Sequence, residues 1–102
     1  MPELFTDSII ARVLEDAARA ERIDFAFARA IAEAFPDASG LSLVFALTSA
    51  ANGLEDFAPD SRVPALYRLA AMVSADLFAF EMRGDPMPDG RVLAALWADE
   101  AP

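Results

Sequence analysis

The sequence contains no cysteine and no histidine, and all eight of its basic residues are arginine. Without a thiol the chain can form no disulfide, no thiolate nucleophile and no sulfur-ligated metal site. Without histidine it lacks the commonest general base and the commonest neutral metal ligand. No Ser-His-Asp set, phosphate-binding glycine loop, calcium loop or dinucleotide fingerprint occurs either. These absences weigh against an enzyme, and we expect neither a metal nor a cofactor.

Basic residues are also scarce: eight arginines face 17 acidic residues, which gives a net charge of -9. Nucleic-acid affinity comes from clustered Lys and Arg that release counterions, and anionic membranes attract the same clusters. We therefore expect neither nucleic acid nor a membrane as a partner. The first ten residues, MPELFTDSII, place acids where a secretory leader carries positive charge, so a cytoplasmic location is the expectation.

The hydrophobic content is 56% over 102 residues, which is enough for one domain with a modest core. Apolar residues recur at helical spacing, and a strand would find no partner elsewhere in the chain. We predict a single all-α domain spanning residues 1–102, folded as a compact bundle of four or five helices. The centre of the bundle is predicted to be an apolar helix at about residues 64–83.

Capping residues indicate where the helices of the first half begin and end. Thr6 is expected to cap the first helix. No glycine or proline interrupts residues 7–35, so this stretch forms either one helix or two. The apolar residues change phase after Asp24, which favours a break near residues 22–24 with Asp24 as the second N-cap. Pro36 then ends the second helix.

A third helix is expected to begin at Ser39 or Ser42 and to end near Ala51. The segment LSLVFAL within it partly alternates and could also be a strand, but helix is favoured because a lone strand would have no partner. Asn52 and Gly53 suit a left-handed C-terminal cap, so the helix is predicted to stop before them.

The fourth helix is predicted from about Pro64 to Arg83, and Gly84 closes it. Proline is tolerated in the first turn because its missing N–H would have no helical partner there. Asp89 follows the rigid turn DPMPDG and is expected to cap a short last helix, whose narrow apolar stripe includes Trp97.

The stretch VPALYRLAAMVSADLFAFEM, residues 63–82, is apolar on nearly all sides. As a bilayer span it would place Arg68, Asp76 and Glu81 in hydrocarbon, at about 2.5–3.5 kcal/mol each near the centre, which its apolar residues do not offset. As a soluble helix it needs cover on several sides. The other helices or a second copy of the chain must supply that cover. The second copy is favoured, so we expect a homodimer.

Two sets of side chains are candidates for function. Aromatic residues on helix faces that one neighbour cannot cover are expected to contact a second copy or another protein. The other set would line a small apolar pocket beside the fourth helix, gated by Arg68 or Glu81. For Trp97, the alternative role is to anchor the last helix. The predicted interaction surface comprises Phe25, Tyr67, Phe78 and Trp97, and the possible pocket comprises Phe27, Arg68, Met72 and Glu81.

Three functional hypotheses are compatible with these patterns. The leading one is a non-enzymatic protein-interaction or regulatory module that is dimeric through apolar helix faces. One alternative is a small apolar-ligand binder or minor enzyme with a pocket beside the fourth helix. Another is an acidic imitation of nucleic acid that occupies a DNA-binding protein, which the net charge of -9 permits.

Overall fold

The computed structural model describes the backbone of residues 2–57 and 59–98, and the side chains of residues 6–57 and 59–98. These residues form five α-helices and no β-strand, which confirms the predicted all-α bundle. Two of the loops meet in an isolated antiparallel bridge. The helices are α1 (Pro2–Arg19), α2 (Phe25–Ala34), α3 (Gly40–Phe57), α4 (Arg62–Met82) and α5 (Gly90–Ala98).

Residues 7–35 belong to two helices, as the change of apolar phase indicates. Residues 20–24 separate α1 from α2. The carboxylate of Asp24 accepts hydrogen bonds from the backbone N–H of Ala26 at 3.1 Å and from that of Phe27 at 3.3 Å. These donors have no partner inside the helix, so the cap stabilises its first turn. The predicted break and the predicted N-cap are both confirmed.

Two helix ends are marked by proline. α1 begins at Pro2, so Thr6 lies inside the helix and the prediction of Thr6 as N-cap is wrong. Proline suits the first helical position because its φ is preset and its missing N–H would have no helical partner there. At the end of α2 the prediction holds, since Phe35 is the C-cap residue and Pro36 follows it.

α3 runs through the Asn52-Gly53 pair, so the prediction that these residues end the helix is wrong. Neither residue has a positive φ. A Cβ added at Gly53 would meet nothing within 4 Å. The glycine therefore costs only its intrinsic helix propensity, about 1 kcal/mol relative to alanine. The additional turn packs Leu54 against the core, which offsets this cost.

Gly84 ends α4 as predicted. Its φ is +78°, a conformation that other residues rarely adopt. The Gly84 N–H donates to the carbonyl of Glu81 and the Asp85 N–H donates to the carbonyl of Phe80, both at 3.0 Å. These two bonds form a Schellman motif, which satisfies carbonyls of the last turn. The motif reverses the chain and brings Met87 beside the C-terminal end of α4.

α3 and α5 begin side by side. The backbone N–H groups of Gly40 and Gly90 each donate to the opposite loop at 2.8 Å, and Ser39 pairs with Asp89 in the antiparallel bridge. The side chains of Ser39 and Asp89 cap their own helices at 3.1 and 3.0 Å, which confirms both as N-caps. A Cβ at Gly90 would collide with the carbonyl oxygen of Phe35. Only glycine therefore permits this close approach.

α3 lies at the centre of the helix packing, since it contacts α1, α4 and α5. α2 packs mainly against α5. Ala46, Ala50 and Ala51 on α3 are fully buried, and such small side chains let the neighbouring helices approach closely. The apolar helix expected at about 64–83 is present as α4, but it packs extensively only on α3. α4 therefore lies at the side of α3, with one buried face and one exposed face.

Candidate protein-docking surface

Several large apolar side chains are exposed on the surface of the domain, and three of them belong to α4. On this helix Tyr67 is 37% exposed, Phe78 60% and Met82 71%. A single exposed apolar residue needs no explanation, whereas a contiguous set marks a place where another surface binds. Among the described residues the exposed set comprises Leu41, Phe45, Phe57, Tyr67, Phe78, Met82, Met87, Val92 and Leu96.

The outer face of α4 is formed by Tyr67, Ala71, Ser74, Phe78 and Met82, all of which are exposed. They follow one another at intervals of three or four, so they lie along one side of the helix over roughly 22 Å. The Ser74 hydroxyl donates to the backbone carbonyl four residues earlier at 2.8 Å, so it needs no other partner. The outer face is thus an apolar stripe with large side chains at both ends and small ones in the middle.

The Tyr67 hydroxyl, at one end of the outer face, lies near the carboxylates of Glu55 and Asp56. The pKa of Tyr67 is raised above its usual value, first because the side chain is partly desolvated, then because its hydroxyl interacts with the carboxylate of Glu55. The negative charges of Glu55 and Asp56 raise it further, since neighbouring carboxylates favour the neutral phenol. Tyr67 therefore stays uncharged at physiological pH, with its hydroxyl near the last turns of α3.

Arg68 differs from the other arginines in having no ion-pair partner within the described residues. The other seven arginines all pair with carboxylates. The Arg62–Asp60 pair is the shortest at 2.6 Å, and hydrogen bonding to Arg62 lowers the pKa of Asp60. Glu81 likewise has no ion-pair partner in the described part of the chain. Arg68 and Glu81 lie on opposite flanks of the outer face of α4, roughly 20 Å apart along the helix.

α4 is also the one helix in the described residues that could cross a membrane by length and composition, with a mean hydropathy of 1.4. A third of that apolar stretch is buried inside the domain. Leu66, Val73 and Leu77 belong to this buried part and pack in the core. Packing in the core therefore explains why the inner face of α4 is apolar. It does not explain why the outer face is apolar.

An open cleft of about 560 Å³ lies where the start of α3, the end of α4 and the following loop meet. The guanidinium of Arg83 lies 4.7 Å from the ring centroid of Phe80 and pairs with Asp85 at 3.0 Å. The charge of Asp85 is thereby matched, which leaves Glu81 as the uncompensated charge at the cleft. The lining residues are Leu41, Leu77, Phe80, Glu81, Gly84, Asp85 and Met87.

The four predicted interaction residues divide into two pairs. Tyr67 and Phe78 lie on the outer face of α4. Trp97 is only 1% exposed, and its indole N–H donates to the carboxylate of Asp76 at 2.8 Å. Its ring lies 5.8 Å from that of Phe25, which is half-buried. Trp97 therefore offers no surface to a partner, and its burial supports the alternative role of anchoring the last helix.

The enclosed cavity beside α4 contains none of the predicted pocket residues. Its volume is about 10 Å³, which leaves room for no more than one water molecule. Phe27 is buried and Met72 is half-buried, but neither borders this cavity. Arg68 and Glu81 are separated by more than three turns, roughly 20 Å along α4, and Glu81 borders the open cleft instead. The cavity is lined by Ala28, Ile31, Leu43, Leu47, Val73 and Trp97.

Leu41, Phe45 and Met87 belong to the exposed apolar set but are not among the predicted site residues. Leu41 and Phe45 lie in LSLVFAL, where apolar residues occupy nearly every position, so the pattern does not indicate which of them face outward. Met87 carries a usable signal, because it is a large apolar residue between the two prolines of the polar turn DPMPDG. Such a turn is expected at the surface, where an apolar side chain has no core to join.

No protein-family model, curated protein or solved structure matches this chain. Within the part of the chain that the structure describes, no group of three or more acidic side chains is placed to hold a metal ion. The outer face of α4 and the cleft beside Glu81 are therefore the features from which a function can be argued.

Proposed function

We propose that this chain is a protein-interaction module that forms a homodimer through the outer face of α4. The observation that carries the proposal is the exposed stripe from Tyr67 to Met82, which is apolar except for Ser74. Exposure of such a stripe to water is unfavourable in a free monomer, and stripes of this kind mark places where proteins associate. A second copy of α4 would remove both stripes from water at once.

The order of side-chain sizes along the outer face suits a second copy in the antiparallel orientation. With a twofold axis near Ser74, Phe78 of one copy packs over Ala71 of the other, and Tyr67 approaches Met82. Phe78 then lies over a small side chain, as close packing requires, while the large side chains of Tyr67 and Met82 meet at the ends of the contact. The small central residues also let the two helix backbones approach each other. A symmetric contact of this kind is the commonest form of homo-oligomer.

Electrostatics favour the outer face of α4 over other parts of the surface. Each copy carries a net charge of -9, so two copies repel each other wherever acidic surfaces meet. The outer face itself carries no charged residue, since Arg68 and Glu81 lie on its flanks and Glu55 and Asp56 lie beside Tyr67 at one end. Two copies therefore meet with less repulsion along α4 than across the acidic surface elsewhere.

The two alternative functions have less support. An apolar-ligand binder needs a pocket that buries most of its ligand, whereas the cavity beside α4 has only about 10 Å³ and the larger cleft beside Glu81 is open to solvent. An acidic imitation of nucleic acid needs many unpaired carboxylates, whereas seven of the 17 acidic residues are paired with arginine. We place the module in the cytoplasm without a membrane partner, because its net charge of -9 disfavours anionic membranes.

Light scattering coupled to size-exclusion chromatography tests the dimer. We expect the wild-type chain to be dimeric at high concentration and Phe78→Glu to be monomeric, because the new carboxylate would be buried without a partner. Phe57→Glu is the matched control, since Phe57 is 89% exposed but lies at the end of α3, outside the outer face. It should remain dimeric. A monomeric wild-type chain, or a Phe57→Glu variant that dissociates as readily as Phe78→Glu, would contradict the proposal.

A further inference from the structure

We propose that the cleft beside Glu81 binds an amphipathic helix of another protein, and that Glu81 pairs with a Lys or Arg next to the apolar stripe of that helix. The inference rests on the proposed function as a protein-interaction module, but it assigns a second surface, separate from the outer face of α4. A basic amphipathic helix is the single occupant for which the following observations argue.

The cleft has room for apolar side chains of a helix that lies across it. Its volume of about 560 Å³ lies within the roughly 300–1,000 Å³ of pockets that receive small ligands. Leu41 and Met87 are exposed at the cleft, while Leu77 is buried in it. Methionine is flexible, so Met87 can adapt to the side chain that enters. Phe45 lies one turn from Leu41 on the same side of α3 and extends the apolar surface along the bound helix.

The charge at the cleft selects a basic partner. Asp85 is paired with Arg83 at 3.0 Å, whereas Glu81 has no ion-pair partner among the residues described. A carboxylate beside apolar walls loses hydration when a partner covers it, and a cation is needed to offset that loss. A helix with Lys or Arg supplies the cation, and the net charge of -9 attracts such a segment from a distance.

A second copy of this chain is a poorer match for the cleft than a basic helix of another protein. Seven of its eight arginines already pair with its own carboxylates. The remaining arginine, Arg68, flanks the outer face of α4, which the proposed dimer covers. The cleft thus fits a different protein, recognised by a helix that lays apolar side chains at helical spacing into a groove.

Model peptides test the inference directly. The probe is a helical peptide of leucine and lysine with its leucines on one face. One control peptide has the same composition in scrambled order, and another keeps the pattern but replaces lysine by glutamate. Binding is measured by isothermal titration calorimetry. We expect the patterned leucine–lysine peptide to bind roughly tenfold more tightly than either control. Equal binding of the scrambled peptide would reduce the interaction to unspecific charge attraction and overturn the inference.

Charge-matched variants locate the binding site on the protein. Glu81→Gln removes the unpaired carboxylate at the cleft, and Glu15→Gln removes the same charge from the exposed side of α1. We expect Glu81→Gln to weaken peptide binding about tenfold and Glu15→Gln by less than about twofold. Leu41→Ser should also weaken binding, with its fold verified by circular dichroism. Equal effects of the two glutamate variants would overturn the inference.

The neutral variant Phe78→Asn separates this inference from the proposed dimer, because Phe78→Glu would add a second carboxylate one turn from Glu81. Peptide binding that persists in monomeric Phe78→Asn supports a cleft that works independently of the outer face, and peptide binding that is lost overturns that independence. A wild-type chain that dimerises without binding the leucine–lysine peptide overturns the cleft inference alone. A monomeric wild-type chain that binds the peptide overturns the dimer alone.

Discussion

The two faces of α4 have similar composition but different surroundings. The inner face places Leu66, Val73 and Leu77 in the core, and Leu66 and Val73 are fully buried there. The outer face leaves more than half of the Phe78 and Met82 side chains exposed. An apolar helix is therefore no proof of a central position. α3 is the main neighbour that buries one face, and the other remains available for association.

This comparison assigns different roles to the two faces. Side chains of the inner face should determine the free energy of unfolding, because their removal leaves cavities in the core. Side chains of the outer face should determine association, because large apolar residues at an interface contribute most of its binding energy. Substitutions can test the assignment. The largest should change the free energy of unfolding by several kcal/mol, and the smallest should shift only the pKa of one surface residue.

The largest effect is expected for Leu66→Ala on the inner face. The substitution removes a fully buried side chain and should lower the free energy of unfolding by about 2–5 kcal/mol. Met82→Ala on the outer face should change it by less than about 0.5 kcal/mol in the monomer. Urea unfolding of both variants in the monomeric Phe78→Glu background measures the difference. Similar losses for the two variants would show that the faces do not differ in role.

Glycine substitutions extend the comparison to one position surrounded by backbone atoms, Gly90, and one position with free space around it, Gly53. At Gly90 an added Cβ would collide with backbone carbonyl oxygens of α2 and its C-cap, so Gly90→Ala should destabilise the fold by about 1–3 kcal/mol. At Gly53 the space is open, so Gly53→Ala should stabilise α3 by roughly 0.5–1 kcal/mol. Thermal unfolding followed by circular dichroism should give shifts of opposite sign. Shifts of the same sign would contradict the packing described at these two positions.

A smaller effect is expected at the contact between α4 and α5. Asp76→Ala removes the acceptor of the Trp97 indole N–H and should cost about 1–2 kcal/mol, because the buried donor is left unpaired. Asp76→Asn keeps an oxygen acceptor and should recover part of this loss. Fluorescence of the single tryptophan reports on the anchor. An Asp76→Ala variant as stable as Asp76→Asn would show that this hydrogen bond does not hold the last helix.

The smallest effect concerns the pKa of Tyr67 at the edge of the outer face. This pKa is raised, so the stability that the Tyr67 hydroxyl contributes is present below pH 10.0 and is lost as pH rises through the folded-state value. Glu55→Gln should lower the pKa towards its usual value, since it removes a neighbouring negative charge. Tyrosinate absorbance of the single tyrosine measures the titration. Glu15→Gln is the control, and an equal shift in both variants would place the cause outside the Glu55 contact.

The sequence alone was sufficient for most helix boundaries, but not for the start of α1, the end of α3 or the arrangement of the helices. Asp24, Ser39, Gly84 and Asp89 act on neighbouring backbone groups, so their roles can be predicted from a few residues of context. The continuation of α3 through Gly53 depends on how Leu54 packs, which local patterns do not contain. The position of α4 at the side of α3, and with it the exposure of Phe78, likewise follows from tertiary packing.

The same distinction applies to the candidate site. Tyr67 and Phe78 can be identified from the sequence as surface candidates. A single neighbouring helix cannot cover both sides of an apolar helix that carries aromatic residues on two sides. Trp97 has the same apolar character, but its burial depends on the acceptor that Asp76 supplies from another helix. The cleft combines residues of α3, α4 and a loop, and only the Schellman turn at Gly84 brings Met87 to it.

The dependence of the urea midpoint on protein concentration tests the role of the outer face of α4 most directly. A dimer that dissociates on unfolding is stabilised by mass action. We expect the midpoint of the wild-type chain to rise with protein concentration and that of Phe78→Glu to stay constant. A wild-type midpoint that is independent of concentration would contradict the assignment of this face as the surface on which a second copy docks.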